Sequence, residues 1–346
     1  MTRWPRRSVL LAGMTAFALL AGCTTTSTDT SPSSPSPSGS SQGTTKASLS
    51  GTEFPITVTD FNGDEVVIEQ APTRVVICSG TALNIWYDAG GKAVASADLT
   101  DSIRLSTEHA AEMQALPKLG AMHSIDQEAV LAQNPDLVIT MGAQKELAAS
   151  LKSMGINTMA VKVSSLADLT MAYSIFGALS GTSDHATSQA EQITASTQQV
   201  VSKWPGEERS VVVLFVTAQS LSVKLDESIT GHMLSTLGVR NIASGATPEN
   251  PNSENTPLDV EYIVAHQPDT VLVTSMISSN QEARARIEAE FAKNSAWQAI
   301  DAVRENRVVF LPQQYFLYNA GPYYPDAMTY LAASLRPDVF GNPVEP

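Results

Sequence analysis

Two stretches of this chain repeat one pattern of acids. SIDQEAVLAQNPDLVIT, residues 124–140, is matched by PLDVEYIVAHQPDTVLVT, residues 257–274, so that Asp126 falls on Asp259, Glu128 on Glu261, and Pro135 and Asp136 on Pro268 and Asp269, with Thr140 and Thr274 ending the strands that follow, the second longer by one residue. Carboxylates in a helix's first turn answer the positive end of its macrodipole, at about 0.3–1 kcal/mol each. That account is enough for one copy; two matched copies point to a duplicated external task. A second concentration is QQYFLYNAGPYY, residues 313–324, with four tyrosines and one phenylalanine, an aromatic density that suits a flat or macrocyclic partner. There is no nucleophile elbow, no metalloprotease motif and no phosphate-cradling glycine loop at a strand-to-helix junction, so the sequence does not read as an enzyme.

In each copy of the repeat a polar residue or proline opens a helix. Ser124 with Gln127 reads as a capping box, and Thr256, Pro257 and Asp259 as its relative. Each helix must stop before Pro135 or Pro268, which leads into a strand. Around these units helical and strand patterns alternate, as in a parallel α/β sheet. RVVIC, DLVIT, RSVVVLFV and TVLVT are nearly all apolar, the mark of strands covered on both faces. TVTDFNGDEVVI reads as a hairpin turning at Asn62 and Gly63. Between the halves, SDHATSQAEQITASTQQVVSKW is free of breakers until Pro205 and Gly206 and predicts one long helix. The fold class is therefore α/β, with two Rossmann-like lobes of mainly parallel sheet, residues 52–182 and 207–346, joined by a bridging helix over 183–206. A body of about 295 residues is long enough for two separate cores.

The N-terminus has export-signal anatomy: Arg3, Arg6 and Arg7, then an apolar run from Val9 to Leu20. That run is shorter than the roughly 20 residues a spanning helix needs. Leu20, Ala21 and Gly22 lead directly into Cys23, as in a bacterial lipobox, so residues 1–22 read as a lipoprotein signal peptide and Cys23 as the lipidated first residue of the mature chain. The Ser/Thr/Pro-rich stretch 23–51 reads as a disordered tether, holding the body extracytoplasmically at a membrane. With Cys23 lipidated only Cys78 remains, so no internal disulfide is expected. A formal net charge of −14 argues against a nucleic-acid partner.

The segments ITVTDFNGDEVVIEQAPTRVV, LPKLGAMHSIDQEAVLAQNPDLVI, SITGHMLSTLGVRNIA, LDVEYIVAHQPDTVLV and AWQAIDAVRENRVVFLP occur in the order found in a known family. Together with the lipobox they make the chain resemble the bacterial ABC-transporter substrate-binding proteins for iron siderophores, haem and cobalamin. The resemblance implies a monomeric, non-catalytic carrier with no cofactor of its own. It would bind a ferric siderophore, haem or corrinoid between its lobes and deliver it to a membrane permease driven by a cytoplasmic ATPase. It also implies permease docking through Glu128 and Glu261, since carboxylates on rigid helices offer guanidinium groups a bidentate grip.

Ligand residues follow from the rule that open α/β sheets bind outside the carboxyl ends of their strands. The expected contacts are Trp86, His123, Lys224, Met276, Tyr315, Tyr318 and Tyr323. The haem-binding relatives imply His123 and Met276 as axial ligands. The commonest haem pattern, however, has a tyrosine near the glycine of LGAM, where this chain has Ala121. His109, His185, His232 and His266 do not converge with carboxylates as a bare zinc or manganese site requires. The remoter readings are a surface-anchored enzyme and a scaffold with an empty cleft.

Overall fold

The computed structural model describes residues 45–277 and 279–346. Residues 1–22 and Cys23 lie outside them, as does most of the stretch read as a tether.

A three-stranded antiparallel sheet comes first: Ser48–Ser50 (β1), Ile56–Thr59 (β2) and Glu65–Ile68 (β3). β1 falls at the end of the stretch read as a tether. It pairs with Thr57–Thr59 because Ala47 is buried and Leu49 packs on the core, which gives this end of the polar stretch apolar surface to bury.

The first lobe is a parallel sheet ordered β5-β4-β6-β7, from Val75–Ile77 (β4), Ala95–Ser96 (β5), Leu137–Met141 (β6) and Thr158–Val161 (β7). The second is ordered β11-β9-β8-β12-β13, from Ser210–Val216 (β8), Leu221–Lys224 (β9), Asn255–Pro257 (β11), Thr270–Ser275 (β12) and Val308–Phe310 (β13), with Arg240–Asn241 (β10) also on β8. β8, β10, β12 and β13 run parallel; β9 is added antiparallel to β8, and β11 antiparallel to β9. The apolar runs expected of doubly covered strands are buried along nearly their whole length in β4, β6, β8 and β12.

The 21-residue helix Ser183–Lys203 connects the halves and buries Ala186, Ile193, Thr197 and Val200. The helix Tyr324–Leu335 packs against it, and one continuous apolar cluster runs from Val75 and Ile77 through both helices to Val211, Val213 and Leu272. The lobes therefore share a core as well as a connecting helix.

The repeat is built the same way in both lobes. Its helices are Gln127–Ala132 and Val260–His266, and their N-caps are the matched aspartates rather than Ser124 or Thr256. Asp126 accepts from the backbone N–H of Glu128 at 2.9 Å and of Ala129 at 3.2 Å; Asp259 accepts from Tyr262 at 3.0 Å. Thr256 is taken up in β11 and is not free to cap. The Pro-Asp pair stitches strands together. Asp136 accepts from the backbone N–H of Thr73 (2.7 Å) and Arg74 (2.9 Å) and from the Thr73 hydroxyl (2.8 Å), at the entrance to β4. Asp269 accepts from Ser210 N–H (2.8 Å) and its hydroxyl (3.0 Å), at the entrance to β8.

Burial works against the charge on Asp136, yet the Thr73 and Arg74 donors prevail and hold its carboxyl below the usual range. A folded-state value below the unfolded one gives stability that is present above about pH 4 and lost as pH falls through the folded value. Asp136→Ala is expected to cost about 1–2 kcal/mol at pH 7, after discounting for solvent screening, and to flatten the acid side of the stability profile. Urea titrations at pH 7 and pH 3 check both.

Candidate functional site

A cavity of about 210 Å³ lies between the lobes. From the first lobe it is lined by Ser79 after β4, Met141 and Ala143 at the end of β6, and Val161, Lys162 and Ser164 at the end of β7. Glu254, just before β11, and Tyr318 and Asn319, in the segment after β13, close it from the second. On the first lobe the site therefore sits outside the carboxyl ends of adjacent parallel strands, where open α/β sheets bind ligands.

One glutamine sets the geometry of the first-lobe loops. Gln144 donates to the carbonyls of Cys78 (3.2 Å) and Met122 (2.6 Å) and accepts from Met141 N–H (2.7 Å), tying together three loops that approach the cleft. Asn62 adds a bond to Gly142 O at 3.1 Å. Ser79 caps the helix Gly80–Asp88, and Thr81 in its first turn donates across the cleft to Asn319 O at 3.2 Å.

His123 is exposed and is not among the lining residues, but its Nε2 lies 3.1 Å from the hydroxyl of Tyr318, which lines the cavity from the other lobe. Burial pushes the Tyr318 phenol above its ordinary range, so it stays protonated at neutral pH. Lys162, about half exposed, also lines the cavity, and its Nζ reaches Glu254 Oε1 at 2.6 Å, a further link between the lobes.

The other expected ligand residues are placed differently. Met276 is 43% exposed beyond β12 and is not among the residues lining the cavity. Trp86 is only 1% exposed; it meets Phe176 edge-on at 5.2 Å and lies so close to Gly91 that a Cβ there would come within 2.2 Å of the indole. It belongs to the core, because the helix that carries it is buried on nearly every side. Tyr315 is 3% exposed, packs on Phe316 and Tyr330, and accepts from Arg104. Tyr323 donates to Leu105 O at 3.2 Å and lies under the Arg104 guanidinium, 4.1 Å from the ring centroid. The expected aromatic wall is thus mainly a staple onto residues 104–107, because its hydroxyls find their partners there; Tyr318 is the ring of this group that lines the cavity. Lys224 lies over the Phe215 ring at 4.3 Å and 4.0 Å from Glu254 Oε2. Burial pulls its ammonium below its ordinary range, against the pull of Glu254.

Sequence reasoning missed Lys162, Ser164, Glu254 and Asn319. The first two follow an apolar strand, the position that singled out the other loops. Glu254 lies in PENPNSEN, which reads as solvated loop, and nothing local links it to Lys162.

The docking candidates Glu128 and Glu261 are both exposed. Burial pushes the Cys78 thiol up to about 12, leaving it unreactive at neutral pH. No helix among the described residues is long and apolar enough to cross a membrane.

A family model described as periplasmic binding protein matches residues 75–315. Along almost its whole length the chain is similar to YvrC of Bacillus subtilis, described as an ABC transporter substrate-binding lipoprotein: 22% identity, covering 97% of this chain and 98% of that protein. Among solved structures, IsdE of S. aureus complexed with haem superposes with a TM-score of 0.66 at 18% identity, over 75% of this chain and 98% of that one. A protein of the ABC-type Fe3+-hydroxamate transport system of Saccharomonospora viridis gives a TM-score of 0.65 at 19% identity, over 82% and 99%.

Proposed function

Because this chain belongs to the periplasmic binding protein family, we propose that it is the extracytoplasmic substrate-binding component of an ABC importer, and that it captures an iron chelate, a ferric siderophore or haem, between its lobes. It is a binding protein rather than an enzyme. The observation that carries the reading is the cavity between the lobes, outside the carboxyl ends of β4, β6 and β7, with Tyr318 in its lining and His123 bonded to that tyrosine. The similar proteins, one complexed with haem and another from an Fe3+-hydroxamate transport system, support an iron chelate as cargo.

The carrier is held at the membrane by a lipid on Cys23, works as a monomer, and presents Glu128 and Glu261 to arginines of a permease, whose ATPase drives import. Exposed ion pairs contribute only about 0–1 kcal/mol each, so these acids orient and steer docking rather than supply its affinity. For haem as cargo, His123 offers an imidazole for one axial position; the opposite ligand is Tyr318, its neighbour here, or Met276, exposed beyond β12. Visible absorption spectra on adding haem, a ferric siderophore and cobalamin in turn test the reading. A haem spectrum that collapses in His123→Ala and is altered in either Tyr318→Phe or Met276→Leu identifies the pair. No spectral or fluorescence change with any of the three chelates contradicts the proposal.

A further inference from the structure

The ion pair that crosses the cleft joins two residues that both line the cavity. Glu254 Oε1 accepts from Lys162 Nζ at 2.6 Å and from the Ser164 hydroxyl at 3.4 Å, both on the first lobe, while its Oε2 stands 4.0 Å from Lys224 Nζ on its own lobe. Two ammonium groups thus share one carboxylate, with Glu249 a further acid that attracts Lys224. Asn319 adds a donor at the opposite wall. It is 7% exposed, its Oδ1 is committed to Gly321 N–H at 2.8 Å, and its Nδ2 has no acceptor. The wall therefore sets one ammonium against one carboxylate across the cleft and leaves one buried donor, Asn319 Nδ2, without a partner among the described residues. The cavity, about 210 Å³ and open to solvent, also falls short of the roughly 300–1,000 Å³ usual for a small-molecule site.

We propose that Glu254 is the resident occupant of an anion subsite, and that the cargo is a chelate bearing a carboxylate, which replaces Glu254 on Lys162. The proposal rests on the carrier reading above and adds the chemical class of the cargo. The exchange keeps the half-exposed Lys162 paired throughout, and the displaced Glu254 retains Lys224, so neither group loses its partner. It also removes the clasp between the lobes, which makes room. A chelate without a carboxylate gains nothing by breaking the clasp, because Lys162 would lose its partner.

Haem and its dimethyl ester share one macrocycle and differ in whether the propionates are charged; a ferric trihydroxamate lacking carboxylates is the third probe. Fluorescence titrations of the wild-type protein, Lys162→Gln and Glu254→Gln separate the possibilities. Wild type is expected to bind haem about tenfold more tightly than the ester. Lys162→Gln should erase that preference by weakening haem alone, and Glu254→Gln should widen it by tightening haem about five- to tenfold. Equal binding of haem and ester by wild type, or equal weakening of both by Lys162→Gln, overturns the carboxylate subsite and leaves the carrier reading standing. Binding of the trihydroxamate alone has the same consequence. Failure of all three probes to bind any of the proteins overturns both.

Discussion

Reversing both repeated acids, Glu128→Arg with Glu261→Arg, is expected to abolish importer-dependent uptake of labelled chelate while cargo affinity stays within about twofold. The reason lies in where the two side chains stand. Each follows an aspartate N-cap by two residues, on a short helix whose capping bonds come from Asp126 or Asp259 and not from the glutamate. At each helix the substitution therefore exchanges a favourable first-turn charge for an unfavourable one, about 0.6–2 kcal/mol at each site. Both side chains are exposed, and neither lines the cavity. Against a permease presenting arginines, the reversal turns two attractions into two repulsions, a larger penalty than loss of the charges alone. Uptake measured in cells, beside chelate binding and thermal unfolding of the purified variant, checks all three parts. Normal uptake would remove the docking role from both glutamates.

Trp86→Ala is expected to lower stability by about 3–5 kcal/mol and to leave any discrimination among chelates unchanged in the fraction that folds. The indole is 1% exposed, meets Phe176 edge-on and fills the space left by the absent side chain of Gly91, so truncation opens a cavity in a well-packed region. A denaturant titration gives the stability change, and competition between two chelates the selectivity. A stable variant with altered preference would put Trp86 back among the ligand contacts.

Much of this architecture is legible in local pattern. The apolar strand runs, the breaker-free stretch that becomes Ser183–Lys203 and the matched aspartates each depend on near neighbours or on periodicity. The Asp136 and Asp269 stitches are partly legible, since the repeat marks the residues but not their partners at Thr73 and Ser210. Which side of an element faces the cleft is less so. TALNIWY is apolar around its whole circumference, and nothing in it says that Trp86 turns inward; the tyrosines of 313–324 look alike in sequence and divide by partners near residue 104. The pair Lys162 and Glu254 meets only because the lobes close on each other, and no spacing rule reaches across that distance in sequence.

The central claim, that cargo binds between the lobes, is tested most directly by plugging the cavity. Ala143 is exposed and lines it, so a tryptophan there fills the space without disturbing the core. Titration with haem and a ferric siderophore should give one-to-one binding by wild type and none by Ala143→Trp, with equal thermal unfolding midpoints for the two proteins. Undiminished binding by the plugged protein would contradict the account.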